Sequence, residues 1–210
     1  MLRVDHVVMA VGDLDRAAAR LLAEHGLASA PGGRHRAWGT ANRILPFGET
    51  YLELLAVVEP DVAAGTRLGR AIAARAAGGD RWFALCLADD AIEATAARLG
   101  LTVEAGARTK PGGSEVRWRG AGIEDPRRTL DLPFFIAWDT PDAHPGRTRL
   151  AHPVGAAAIV SIEVAGDAAA FRAWTDGADL PVRSVDGPPG VRAVELRADG
   201  GPIRIEGVPA

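Results

Sequence analysis

The sequence predicts an α+β fold built from repeated β-α-β-β-β units. Three segments share one pattern: "RVDHVVMAVGDLDRAAARLLAEHGL", "RWFALCLADDAIEATAARLGL" and "IVSIEVAGDAAAFRAWTDGADL". Each opens on an apolar run rich in branched or aromatic side chains, which reads as a strand. Each then places an Asp where a helix should start, continues through an alanine-rich amphipathic stretch and ends at glycine. After each helix come three short apolar segments separated by turn residues, too close together for crossovers, so they should meander antiparallel.

The elements follow in order. Residues 1–60 form the first unit. Asp13 is its predicted N-cap, Ala18, Leu21 and Leu22 fall at helical spacing, and Gly26 suits a left-handed C-cap. "HRAWGT", "NRILPFG" and "TYLELLAVV" are its later strands. Residues 61–80 carry a connecting helix, read from "GTRLGRAIAARAAG". Residues 81–140 repeat the unit, with Asp89 or Asp90 before the helix, Gly100 after it, and "TVEAG", "SEVRWRG" and "LPFFIAW" as strands. Residues 141–156, rich in Pro, Gly and charge, read as a linker. Residues 157–210 form the third unit, with Asp167, Gly177, "PVRSV", "VRAVELRA" and "PIRIEGV" in the matching places.

Composition narrows the function classes. The formal net charge is −3, and Lys110 is the only lysine, so neither nucleic acid nor an anionic membrane surface is an expected partner. No apolar run approaches the ~20 residues of a membrane span. Met1 leads straight into a strand without a signal peptide, and a cytoplasmic protein is the expectation. Cys86 is the single cysteine and reads as a small core residue. No nucleotide-binding glycine loop is present; "RTKPGG", residues 108–113, reads as a solvated turn.

A unit that begins "DHVVMAV" and continues through "GTANRILPFGETYLELLAV", with "LPFFIAWD" closing the next one, resembles the vicinal oxygen chelate superfamily and its glyoxalase-like branch. The resemblance covers most of residues 3–140. It implies a glyoxalase/dihydroxybiphenyl dioxygenase-like architecture, in which two units pair into an open, cupped, mostly antiparallel barrel holding a divalent metal. It also implies one ligand from the first and one from the last strand of a unit, and these positions fall on His6 and Glu53. Strand alternation places Val4, His6 and Val8 on one face, and Tyr51, Glu53 and Leu55 on one face of the later strand. An imidazole and a carboxylate suit Zn, Mn, Fe or Ni. His6 could instead be a hydrogen-bonded strand histidine, and Glu53 a solvated edge residue.

The second unit supplies no matching ligands. Trp82 falls opposite His6, and Ile136 or Ala137 opposite Glu53. The third unit offers Ile159 and Glu206, so Glu206 and His152 are the candidates for completing a ligand set. His152 and His144 each precede a proline, which holds the backbone extended and aims the ring reproducibly. His25 should interact with the free carbonyls at the end of the first helix. His35 is either a loop histidine or a cup residue. In "WGTANR", Thr40 and Asn42 alternate onto one face, facing a substrate or forming a turn; Trp38, Phe47, Tyr51 and Trp82 are wall or core aromatics. His35, Trp38, Thr40, Asn42, Tyr51 and Trp82 are therefore the candidate substrate-binding set.

Two functions from different classes fit. One is a metal-dependent lyase, isomerase or dioxygenase acting on a small oxygenated molecule, for which no catalytic residue can be named from the sequence. The other is a metal-free protein that binds or sequesters a small molecule. An unpaired sheet edge in the third unit makes a homodimer the expected assembly.

Overall fold

A computed structural model describes residues 1–207 of the chain. The first set of elements is β1 (Leu2–Ala10), α1 (Leu14–His25), β2 (Ala30–His35), β3 (Thr40–Pro46) and β4 (Tyr51–Val57). Two helices follow, α2 (Pro60–Gly65) and α3 (Arg67–Ala76). The second set is β5 (Arg81–Asp89), α4 (Ile92–Leu99), β6 (Val103–Thr109), β7 (Glu115–Ala121) and β8 (Phe134–Trp138). Two 3-10 turns, Pro141–Ala143 and Pro145–Arg147, occupy the linker. The last set is β9 (Ala157–Ala165), α5 (Ala168–Trp174), β10 (Val182–Val185), β11 (Gly190–Ala198) and β12 (Gly201–Glu206). Positions 208–210 of the expected third unit lie outside the described residues.

The helix signals work as local chemistry predicts, with one exception. Asp13 accepts from the Arg16 N–H at 2.8 Å, and Gly26 takes the left-handed conformation with φ 66°. Asp167 accepts from Ala169 and Ala170. At α4, however, Asp89 accepts from Ala91 N–H before the helix begins, and Asp90 pairs on the surface with Arg3, so neither caps the helix. The strand expected over 35–40 instead lies earlier, at β2. Pro31, Gly32 and Gly33 disguise it as a turn, but cross-strand pairing to β3 holds it extended.

Eight strands close into a barrel in the order β1-β4-β3-β2-β6-β7-β8-β5. Only β1–β4 and β5–β8 run parallel; the other pairs are antiparallel. The two halves meet along the long β1–β5 ladder on one side. On the other side the cup closes through a single pair, Arg34 with Thr109. A Cβ at Gly33 would lie 2.5 Å from the Thr109 carbonyl oxygen, so this seam needs glycine there.

The third set of elements has the expected order along the chain but a different sheet. Its strands run β10-β9-β11-β12, with β9 and β10 parallel across the α5 crossover. The meander expected after the helix therefore holds in the barrel halves and fails here. This sheet does not cover the cup. Ile162, Val194, Leu196 and Ile205 join Trp82, Leu85 and Leu87 in a core on the outer side of the barrel. A second core, including Val8, Leu55, Phe83 and Ile136, fills the barrel's inside together with α3 residues Leu68 and Ile72.

This division corrects the placement of Trp82. It is fully buried in the outer core, and its indole N–H donates to the Ile205 carbonyl at 3.3 Å, so it lines the sheet–barrel junction and not the cup. Trp82→Ala should destabilise the protein by about 3–5 kcal/mol in urea unfolding, because the cavity is left between two rigid sheets. The same variant should leave ligand binding in the cup unchanged.

Candidate functional site

The barrel encloses a cavity of about 60 Å³ whose walls carry almost every polar group buried inside it. His6 reaches it through an irregularity in β1. Val4 pairs with Leu87 and His6 with Cys86, leaving Asp5 as an extra residue in the ladder. A bulge of this kind re-aims side chains. Val4 consequently packs in the outer core with Val7, while His6 and Val8 line the cavity, so the simple alternation of Val4, His6 and Val8 does not hold. Tyr51, Glu53 and Leu55 do share the cavity face of β4.

Asp5 organises this end of the site. Its carboxylate is 1% exposed and accepts three hydrogen bonds: from His6 Nδ1 at 2.6 Å, Trp138 Nε1 at 2.8 Å and His144 Nε2 at 3.2 Å. Burial alone would raise the Asp5 carboxyl, but the bonds from His144 and His6 outweigh it and hold the group well below the usual carboxylate range. His144 Nδ1 accepts from the Gly146 N–H at 3.1 Å, which leaves its proton on Nε2, facing Asp5. The 3-10 turn that carries His144 packs closely on the β3–β4 hairpin. Gly48 N–H donates to the Gly146 carbonyl at 2.9 Å, and a Cβ on Gly146 would lie 2.5 Å from the Gly48 oxygen.

With Nδ1–H committed to Asp5, His6 presents Nε2 to the cavity. The ring stacks on Tyr51 at 4.5 Å and meets the edge of Phe134 at 5.6 Å, so its plane is fixed from both sides. Its Nε2 faces Glu53 Oε2 at 3.4 Å. Glu53 is 7% exposed and takes a short hydrogen bond from the Asn42 amide on β3. No hydrogen bond joins the two at that distance, so the imidazole nitrogen and the carboxylate oxygen face each other as two available donor atoms.

The remaining expected residues divide into two groups. His35, Trp38, Asn42 and Tyr51 line the cavity, and Thr40 supports it from behind through its hydroxyl, 3.1 Å from His35 Nδ1. His35 is thus a buried cup residue and not a loop histidine. The structure does not bring His152 or Glu206 to the cup. His152 Nδ1 accepts from Ala28 N–H and Nε2 donates to the Pro46 carbonyl, so backbone occupies both nitrogens. Glu206 pairs with Arg204 on the C-terminal sheet. Neither can complete a ligand set with His6 and Glu53.

Several cavity residues lie outside the expected set, among them Trp118, Phe134, Trp138 and Arg108. Trp118, Phe134 and Trp138 form an aromatic wall on β7 and β8, and Arg108 projects from β6. Arg108 is 5% exposed, so the stretch from 108 is not a solvated turn at its first residue. The signal was present for the aromatics, since "RWRG" and "FFIAW" are strand patterns. For Arg108 there was none, because a β-strand arginine normally faces water.

Asp5, His6 and Cys86 also place potential ligand atoms within 4.8 Å of one another. That trio is a packed interior more than an open metal site. The Asp5 oxygens are filled by three donors, His6 Nδ1 is one of them, and burial pushes the Cys86 thiol well up, away from the thiolate that binds metals. The open donors are His6 Nε2 and Glu53.

An eight-stranded cup formed from two β-α-β-β-β halves, with a histidine on the first strand and a carboxylate on the fourth, defines a barrel of the vicinal oxygen chelate class. The profile of the glyoxalase-like domain family matches residues 4–177, and the chain belongs to that family. No curated protein matches the sequence. Among solved structures, a hypothetical protein from Staphylococcus aureus is similar over 99% of this chain and 100% of its own, at 17% identity and a TM-score of 0.72. A Streptomyces coelicolor methylmalonyl-CoA epimerase variant in complex with 2-nitronate-propionyl-CoA covers 64% of this chain and 96% of its own, at 21% identity and a TM-score of 0.47. The Mycobacterium tuberculosis methylmalonyl-CoA epimerase covers 65% and 86%, at 17% identity and a TM-score of 0.45. Among the described residues no helix is long and apolar enough to cross a membrane.

The buried imidazole of His35 sets a pH dependence. Burial pushes its pKa down to about 4, against about 6.5 in an unfolded chain. The unfolded state therefore binds more protons between these values. The stability from neutral His35 is complete above pH ~6.5 and is lost as pH falls toward 4, a loss of roughly 3 kcal/mol. His35→Gln should flatten the stability profile across this window in denaturant titrations. The depressed Asp5 carboxyl acts at lower pH, losing its contribution only below the ordinary carboxylate range.

Proposed function

We propose that the cup is the active site of an enzyme that holds a divalent cation between His6 and Glu53 and acts on a small oxygenated molecule. The observation that carries this reading is the pair itself: His6 Nε2, its tautomer set by Asp5, 3.4 Å from a buried carboxylate oxygen. Two donors about 2.1 Å from one cation at a tetrahedral angle stand about 3.4 Å apart, so the spacing fits. Asn42 supports the pair through its amide N–H, which holds Glu53 from β3, while its own amide oxygen is packed against Gly32. One imidazole with oxygen donors suits Zn, Mn, Fe or Ni. A cation bound there would supply Lewis acidity for a carbonyl or enolate oxygen. Asp5 fixes the orientation and tautomer of the ring, the carboxylate–histidine support that metal sites commonly use. Tyr51, Phe134 and Trp138 exclude water around the pair.

A second reading, a metal-free binding cup, is favoured by one specific asymmetry. The other half of the barrel contributes Phe83, Phe134 and Ile136 to the cavity, and none of these is a ligand.

Elemental analysis of untagged protein separates the two. Near-stoichiometric metal in the parent, with at least a tenfold loss in His6→Ala and Glu53→Gln, is the expected result. Metal-free parent protein after incubation with Zn, Mn, Fe or Ni and desalting leaves the binding cup as the function.

A further inference from the structure

We infer that the molecule bound in this cup is a small carboxylate whose anionic head is held by Arg108. The inference rests on the cup being the ligand site, and it names the class of ligand. Arg108 stands on β6, across the cavity from the His6–Glu53 pair. Among the described residues no hydrogen bond or ion pair reaches its guanidinium, although the residue is 5% exposed and Nη1 is wholly buried without a partner. Nη1 therefore has donors to spare inside the cavity, and the permanent charge is offset only through space, by the carboxylate of Glu53. A buried cation of this kind is costly unless something compensates it.

Arg128, the other arginine that lines the cavity, shows what a structural arginine looks like here. Its Nε donates to the Gly122 carbonyl at 2.8 Å, Nη1 donates to the Leu132 carbonyl at 3.2 Å, and the group lies over the Phe134 ring at 5.7 Å. Arg108 has none of these anchors. The strand opposite makes room for it: a Cβ at Gly33 would come within 3.4 Å of Nη1.

Charge and size narrow the ligand. The carboxylates of Asp5 and Glu53 offset Arg108 and Arg128 in number, so a divalent cation at His6 and Glu53 would leave the cup positive and favour an anion. One free guanidinium matches a planar monoanionic carboxylate through two parallel hydrogen bonds. A phosphate dianion needs more donors than this single fork. The cavity, about 60 Å³, is several times the ~10–15 Å³ that one water needs, enough for the head of a short acid. A vestibule of about 460 Å³ shares His35, Trp38, Trp118 and Ile123 with it and gives room for a longer apolar body.

The test uses the full chain, metal-loaded and chelator-treated, with 2-oxocarboxylates of two to six carbons, their neutral amides, and inorganic phosphate. Calorimetric titration should show at least one acid binding ten times tighter than its amide and than phosphate. Arg108→Gln should lose at least tenfold for that acid and little for the amide, while keeping the parent's metal content. In metal-loaded protein without ligand, Arg108→Gln should melt higher than the parent, because a guanidinium with no hydrogen bonds is gone from a net-positive cup; a structural arginine would give the opposite shift. No acid binding, equal binding of acid and amide, tighter binding of phosphate, or an unchanged acid affinity in Arg108→Gln each overturns the inference. Arg108-dependent acid binding in protein that takes up no metal would sustain it while removing the metalloenzyme reading. Metal uptake without acid binding would do the reverse.

Discussion

The buried carboxylate of Asp5 is the constraint on which the site depends. Its three donors come from three places: the adjacent residue on β1, the end of β8, and the 3-10 turn after the barrel. One charge, unable to reach water, fixes the tautomer of His6, docks the last barrel strand's Trp138 and pins the linker histidine. A carboxylate taken from water is tolerable only when its lone pairs are filled, and here neighbours fill them. Removing it would orphan three buried donors at once, and that cost ties β1, β8 and the linker into one arrangement.

The barrel is chemically lopsided, and the lopsidedness follows from its two halves. β1, β3 and β4 bring His6, Asn42 and Glu53 to the cavity; β5, β7 and β8 bring Phe83, Trp118, Phe134, Ile136 and Trp138. The first half supplies the imidazole, amide and carboxylate, and the second most of the aromatic wall together with the two arginines, Arg108 and Arg128. Low local polarity strengthens every charge interaction inside, so the imidazole, the carboxylate and the guanidinium act on one another more strongly than they would in water. The C-terminal sheet serves a different purpose. Its apolar face packs on the outer side of the barrel around Trp82, and its solvent face carries the Glu163, Glu195, Arg183 and Arg204 ion network.

Much of the barrel was legible in the chain because its determinants are local. Asp13, Gly26, Gly100 and Asp167 mark helix ends through hydrogen bonds and backbone freedom within a few residues, and alternation over 51–55 puts Glu53 inside. β2 was misplaced because proline and glycine speak for turns until a partner strand holds them extended. The sheet of the third unit departs from the expected meander because strand order is set by which faces bury each other, and no local pattern records that.

The sequence by itself determined two β-α-β-β-β halves, the helix ends, and a histidine and a carboxylate on strands that could neighbour each other. Only the tertiary structure decided which polar groups meet. A one-residue bulge at Asp5 turned His6 inward, closure at the Arg34–Thr109 pair enclosed Arg108, and a turn more than a hundred residues away brought His144 back to Asp5. Secondary structure depends on neighbours along the chain, whereas a site depends on side chains that only a closed barrel brings together.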